Sequence, residues 1–144
     1  MAMDSLDIED MLAITQTIHH YFKLVDTGRA ADVYSLFCEN GALTFGAGAP
    51  KPGTLSGDNL KASLEARQQQ TGVITRHVVS NIQFSAQAEG RISVYSLLTL
   101  YRAESGAAPD TYPASVADIE DVFTNENGVW KILQRLISPV FNRQ

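Results

Sequence analysis

The stretch Arg91-Ile92-Ser93-Val94-Tyr95-Ser96-Leu97-Leu98-Thr99-Leu100-Tyr101-Arg102-Ala103 decides how this chain is built. Side chains alternate across a strand, so one face carries Ile92, Val94, Ser96, Leu98 and Leu100. The other carries Ser93, Tyr95, Leu97, Thr99 and Tyr101. Neither is a solvent face. Burial on both sides calls for helices against one face and a second subunit against the other, hence a homodimer through the outer face of the sheet. Residues 74–84, 112–124 and 129–138 are also long, β-branched and aromatic-rich. Turns at Glu89-Gly90, Ser105-Gly106 and Asn127-Gly128 separate these strands, the last being a strong hairpin signal. The second half therefore reads as an antiparallel meander.

Before it, the chain is mostly helical. Ile8, Met11, Leu12, Thr15, Ile18, His19, Phe22 and Val25 recur at spacings of three and four, which predicts an amphipathic helix over 5–26 stopped by Thr27-Gly28. A short helix over 30–37 follows, then Asn40-Gly41 turns into a strand over 42–45. The run Gly46-Ala47-Gly48-Ala49-Pro50-Lys51-Pro52-Gly53 suits neither helix nor central strand, so the 46–56 loop is expected to be a flap controlling access. Ser56 or Asp58 caps a third helix carrying Leu60, Leu64 and Arg67 and ending at Gln68-Gln69-Gln70. Helices first and a meander afterwards make an α+β protein: three N-terminal helices packed on a strongly curved mixed or antiparallel sheet, forming a cone. One domain over 1–144 is expected, with 1–4 disordered or a cloning remnant.

Composition narrows the function. The chain has 144 residues, 44% hydrophobic and 19% charged, as expected of a globular protein with a real core. A net charge of -5 without a Lys/Arg run argues against nucleic-acid binding. No apolar run is long enough to span a membrane. A single cysteine, Cys38, allows no intrachain disulfide, and no signal-peptide pattern opens the chain, so a cytoplasmic protein is expected. The glycine-rich loop lacks a phosphate-loop ending. Adjacent His19 and His20 point about 100° apart, which argues against a metal site.

The residues with chemical potential begin with Asp26. It falls inside the apolar arc of the first helix, at a C-terminus where a negative charge costs roughly 0.3–1 kcal/mol. Residues that break local rules cluster at functional sites. His77 stands in mid-strand and, by alternation, shares a face with Thr75, Val79 and Asn81, while Arg76 points away with Val78 and Ile82. Should the two meet, the carboxylate would take one ring N–H of His77 and leave the other nitrogen free to accept a proton. Otherwise His77 is a hydrogen-bonded core histidine and Asp26 a partly exposed helix-end residue. Tyr21 lies near Asp26, either to polarise a substrate carbonyl or simply to pack, and Tyr95 and Tyr101 carry the same two options. A two-residue turn at Asn127-Gly128 sets Glu120 opposite Arg135, and a slipped register sets Asp118 there. Arg135 thus either forms a cross-strand ion pair or binds an anionic or carbonyl group.

Four segments together resemble the SnoaL-like group of the nuclear-transport-factor-2-like superfamily. They are Tyr21-Phe22-x-x-Val25-Asp26-Thr27-Gly28, Leu36-Phe37-x-x-Asn40-Gly41, Thr75-Arg76-His77-Val78-Val79-Ser80-Asn81, and Gly128-Val129-Trp130-Lys131-Ile132 with Arg135. The resemblance implies a cone-shaped α+β barrel with a deep pocket, commonly dimeric. Scytalone dehydratase and bile-acid dehydratase, similar in this pattern, use a His–Asp pair with pocket tyrosines to remove a proton next to a carbonyl. By that resemblance His77, Asp26 and Tyr21 are catalytic candidates and Arg135 a pocket residue; Tyr95, Tyr101, Asn81 and Phe45 are further candidates for contacting the substrate. Phe45 stands where ketosteroid isomerases of this fold place a carboxylate base, so that chemistry is not supported. Neither are the strand aspartates of limonene-epoxide hydrolase present over 91–103.

Three functions remain open. The first is a dehydratase or isomerase acting on a hydrophobic cyclic substrate, without cofactor or metal. The second is a polyketide-cyclase-like enzyme performing aldol chemistry. The third is a non-catalytic ligand-binding or assembly module, because fold alone does not fix function.

Overall fold

In the computed structural model, residues 6–104, 106 and 110–143 are described. The expectation for residues 1–4, and Ser105 of the second turn, lie outside them. Helix α1 spans Ile8–Asp26, with the Asp7 carboxylate accepting from the Glu9 N–H as its N-cap. It ends as its sequence demands: the Thr27 N–H reaches back to Lys23 O, and Gly28 takes φ +82°. The next helical piece, Ala30–Leu36, is a 3-10 helix. Helix α2 covers Gly57–Gln69 and buries Leu60 and Leu64.

Six strands follow the order β2-β1-β6-β5-β4-β3. They are β1 (Phe37–Phe45), β2 (Gly53–Ser56), β3 (Val73–Ala86), β4 (Ile92–Glu104), β5 (Ser115–Glu126) and β6 (Val129–Asn142). Only β1 and β6 run parallel, so the sheet is mixed. It is an open sheet with β2 and β3 at its edges, not the closed barrel implied by the resemblance. Strand β2, unforeseen within the loop over 46–56, forms because Thr54 and Leu55 pair with Thr44 and Leu43 of β1.

The helices cover the face bearing Ile92, Val94, Leu98, Ala117, Ile119, Phe123, Ile132 and Ile137, against Ile14, Ile18, Tyr21 and Phe22 of α1. The stripe expected for α1 is therefore rotated. Leu12 is 58% exposed and His19 is exposed, whereas Ile14 and Tyr21 are buried. Bulges bend the sheet and locally reverse which residues face inward. One lies in β3, where Asn81 adopts φ +57° between the Ser80–Leu97 and Gln83–Tyr95 pairs. A second lies in β6 at Leu133, between the Phe123–Ile132 and Val122–Gln134 pairs.

Candidate functional site

Helix α1 delivers Asp26 to the edge strand β3, where it meets His77. The Asp26 Oδ1 lies 2.6 Å from His77 Nδ1, and Oδ2 accepts the His77 backbone N–H at 2.9 Å. The Thr75 hydroxyl, one pleat back on the same face, donates to Oδ1 at 2.8 Å. Arg67, from α2, donates in turn to Thr75 Oγ1 at 3.0 Å. On its other side the imidazole stacks on Phe22, ring centres 4.7 Å apart and planes 16° from parallel. Both side chains are largely covered, 13% exposed for His77 and 9% for Asp26.

Burial alone would raise the Asp26 carboxyl, but the bonds from His77 and Thr75 outweigh it and hold the group below its ordinary value. Asp26 is therefore a carboxylate at neutral pH. The carboxylate on Nδ1 fixes the orientation of the ring. Among the described residues none hydrogen-bonds His77 Nε2.

One helical turn earlier, Tyr21 is buried beneath a charge. The Arg135 guanidinium lies 4.3 Å from its ring centre and 5.2 Å from that of Phe22. Burial pushes the Tyr21 phenol up, so it stays protonated and able to donate. Arg135 is 1% exposed and pairs side-on with Asp121, itself 2% exposed, through Nε–Oδ1 and Nη2–Oδ2 bonds of 2.8 Å each. Desolvation of the guanidinium is outweighed by Asp121, so Arg135 stays charged. Its Nη1 has no hydrogen-bond partner among the described residues. Phe22 thus touches both the imidazole and the guanidinium, joining two polar groups through one apolar ring.

The partner of Arg135 is neither Glu120 nor Asp118. The extra residue Leu133 shifts the ladder by one, pairs Asp121 with Arg135 and carries both into the core. Asn81 does not share the His77 face: its bulge leaves it exposed and turns Ile82 and Phe84 inward instead. Tyr95 and Tyr101 lie on the face away from the helices, because β4 buries Ile92, Val94, Ser96 and Leu98 against them. Tyr95 donates to Asp118 at 2.6 Å and lines a groove of about 620 Å³ together with Thr44, Gln83, Glu120 and Gln134. Phe45 packs against the core beside Leu43, on the Arg135 side of the sheet.

Thr75, Arg67, Phe22 and Asp121 were not singled out from the sequence. Thr75 was findable, since it precedes His77 by two on one face. Phe22 was too, one turn before Asp26. Asp121 was hidden by the bulge. Among the described residues no cluster of three His, Cys, Asp or Glu side chains could hold a metal ion. No described helix is long and apolar enough to cross a membrane.

Comparison with solved structures places the fold among known ones. A Novosphingobium aromaticivorans protein provisionally named a scytalone dehydratase superposes with a TM-score of 0.79 at 22% identity, covering 94% of this chain and 87% of its own. ActVI-ORFA from Streptomyces coelicolor gives 0.76 at 16% identity, over 90% of this chain and 96% of its own. A Nostoc punctiforme protein with a cystatin-like fold gives 0.74 at 22% identity, over 94% of both chains. At these identities the likeness shows the fold. No curated protein matches the sequence. The SnoaL-like domain model, however, matches residues 6–135, a span that takes in Tyr21, Asp26, His77 and Arg135, and the chain belongs to that family.

Proposed function

We propose that this protein is a cofactor-independent lyase or isomerase in which His77 moves a proton next to the carbonyl of a small, hydrophobic, cyclic molecule. The observation that carries the reading is the 2.6 Å contact between Asp26 and His77 Nδ1, which leaves Nε2 as the ring's working nitrogen. Nε2 takes the proton from the carbon beside the carbonyl, and the bond's electrons pass to the carbonyl oxygen as an enolate. The imidazolium formed lies against the Asp26 carboxylate, which stabilises it. In a dehydration the enolate collapses, expels a β-hydroxyl and receives the Nε2 proton on the departing oxygen as water. In an isomerisation the same proton returns to a different carbon. Tyr21 serves as the donor to the developing oxyanion, supported by its raised phenol, and Arg135 supplies positive charge behind it. The name of the Novosphingobium neighbour agrees with dehydration.

The same reading includes a homodimer formed through the sheet face away from the helices. Tyr95, Leu97, Thr99 and Tyr101 are only half-buried there, and Ile74 and Val78 are 57% and 50% exposed.

The test is a screen of cyclic ketones and β-hydroxy ketones, followed for loss of water or movement of a double bond. Conversion by the wild type and none by His77→Ala, with its circular dichroism unchanged, supports the proposal. Equal conversion by both proteins sinks it. Binding without conversion, unaffected by replacing Asp26 and His77 together, would make the protein a ligand-binding module.

A further inference from the structure

The hydrogen bonds around Asp26 have a direction, and Arg67 reinforces it. A guanidinium can only donate, so Arg67 Nη2 occupies a lone pair of Thr75 Oγ1 at 3.0 Å. The single hydroxyl hydrogen of Thr75 is then left for Asp26 Oδ1, 2.8 Å away. Oδ2 already accepts the His77 backbone N–H at 2.9 Å. Both carboxylate oxygens therefore face donors and neither has room for a proton of its own. The remaining contact, His77 Nδ1 to Oδ1 at 2.6 Å, requires the hydrogen to sit on Nδ1. In the neutral ring the lone pair must then be on Nε2. The other charged group near Asp26, Arg76, donates to the main-chain oxygens of Thr75 and Asp26 at 2.7 and 3.4 Å and so does not orient the carboxylate.

We propose that Arg67 and Thr75 are positioning residues that lock His77 in the Nδ1–H tautomer and so fix it as a base. The inference rests on the proposed role of His77, but it concerns two residues on α2 and β3 that need not touch substrate. Without Arg67 the Thr75 hydroxyl is free to rotate away from Oδ1; without Thr75, Oδ1 loses the donor that helps to hold it against Nδ1. Either change loosens the tautomer while leaving Asp26 and His77 in place.

The experiment is side-chain ¹⁵N NMR of the full chain, without ligand, at a pH where His77 is neutral. A His77→Gln sample separates its signals from those of His19 and His20. The wild type is expected to show the Nδ1–H form. In Thr75→Val and Arg67→Leu the ratio of Nδ1–H to Nε2–H should fall about tenfold, the scale of one lost charge-assisted hydrogen bond. Thr75→Ser, which keeps the hydroxyl, should restore the wild-type ratio. An Nε2–H tautomer in the wild type, or an unchanged ratio in Arg67→Leu and Thr75→Val, overturns the proposal. If Thr75→Val does not fold, Arg67→Leu against Thr75→Ser decides the matter. Because no substrate is present, this result stands apart from the ketone screen: an inactive protein with the expected tautomer rejects the catalytic role alone.

Discussion

Asp26 receives three donors at its two oxygens, and that is why it stays charged at a helix end where charge is disfavoured. Its carboxyl is lowered in the folded protein, so its contribution to stability is complete above the unfolded value of about 3.9. That contribution is lost as pH falls through the lower folded value. Asp26→Asn places an amide against the His77 N–H or the Thr75 hydroxyl and should destabilise by about 1–3 kcal/mol at neutral pH. The gap to wild type should narrow in acid; urea unfolding across the acid range checks both. Arg135 and Asp121 make a sharper case, being buried and paired. Asp121→Asn alone strands a guanidinium in the core and should cost about 3–5 kcal/mol, whereas the double change Arg135→Met with Asp121→Leu should recover most of the loss. Thermal melts of the single and double variants measure this. Asp26 and His77 were legible because each violates its element's own pattern. Asp121 was not, because its position depends on one bulged residue elsewhere.

Elements repeat the lesson at longer range. The Asn127-Gly128 turn forms as its sequence states, with φ +55° and +86° and Glu126 opposite Val129. Counting from it succeeds as far as the Phe123–Ile132 pair and fails beyond Leu133. Nothing local in Ile132-Leu133-Gln134 announces a bulge; the strand deforms where β1 also slips, between Phe37 and Ala42. Gly41 belongs to that slip. A Cβ there would stand 2.8 Å from both Ile132 O and Phe37 Cβ, and both neighbours are fixed in the sheet. Gly41→Ala should therefore destabilise by about 1–3 kcal/mol. Gly128→Ala meets no neighbour but retains a positive φ, and about 1–2 kcal/mol is expected. Denaturant midpoints compare the two. Strand β2 was invisible for a different reason: four residues bounded by glycine become a strand only because β1 offers an edge.

The whole molecule joins two expectations drawn from β4, one per face. The helix-covered face was legible from alternation and is built as read, with Ile92, Val94, Ser96 and Leu98 buried. The other face is the proposed dimer surface, and sedimentation of the wild type should return twice the chain mass. Leu97→Lys should shift it to the monomer, since a charge on a desolvated strand face is costly. The resemblance carried the site further than spacing could, by linking Tyr21, Asp26 and His77, and the structure brings the last two into contact. Their proton chemistry is the central claim. The most direct measurement is solvent deuterium incorporation beside the carbonyl of 2-tetralone, a hydrophobic bicyclic ketone, by wild type and His77→Gln. Catalysed exchange is expected from the wild type, with a loss of about 10²–10⁴-fold in the variant. Exchange at equal rates in the two proteins would contradict the claim.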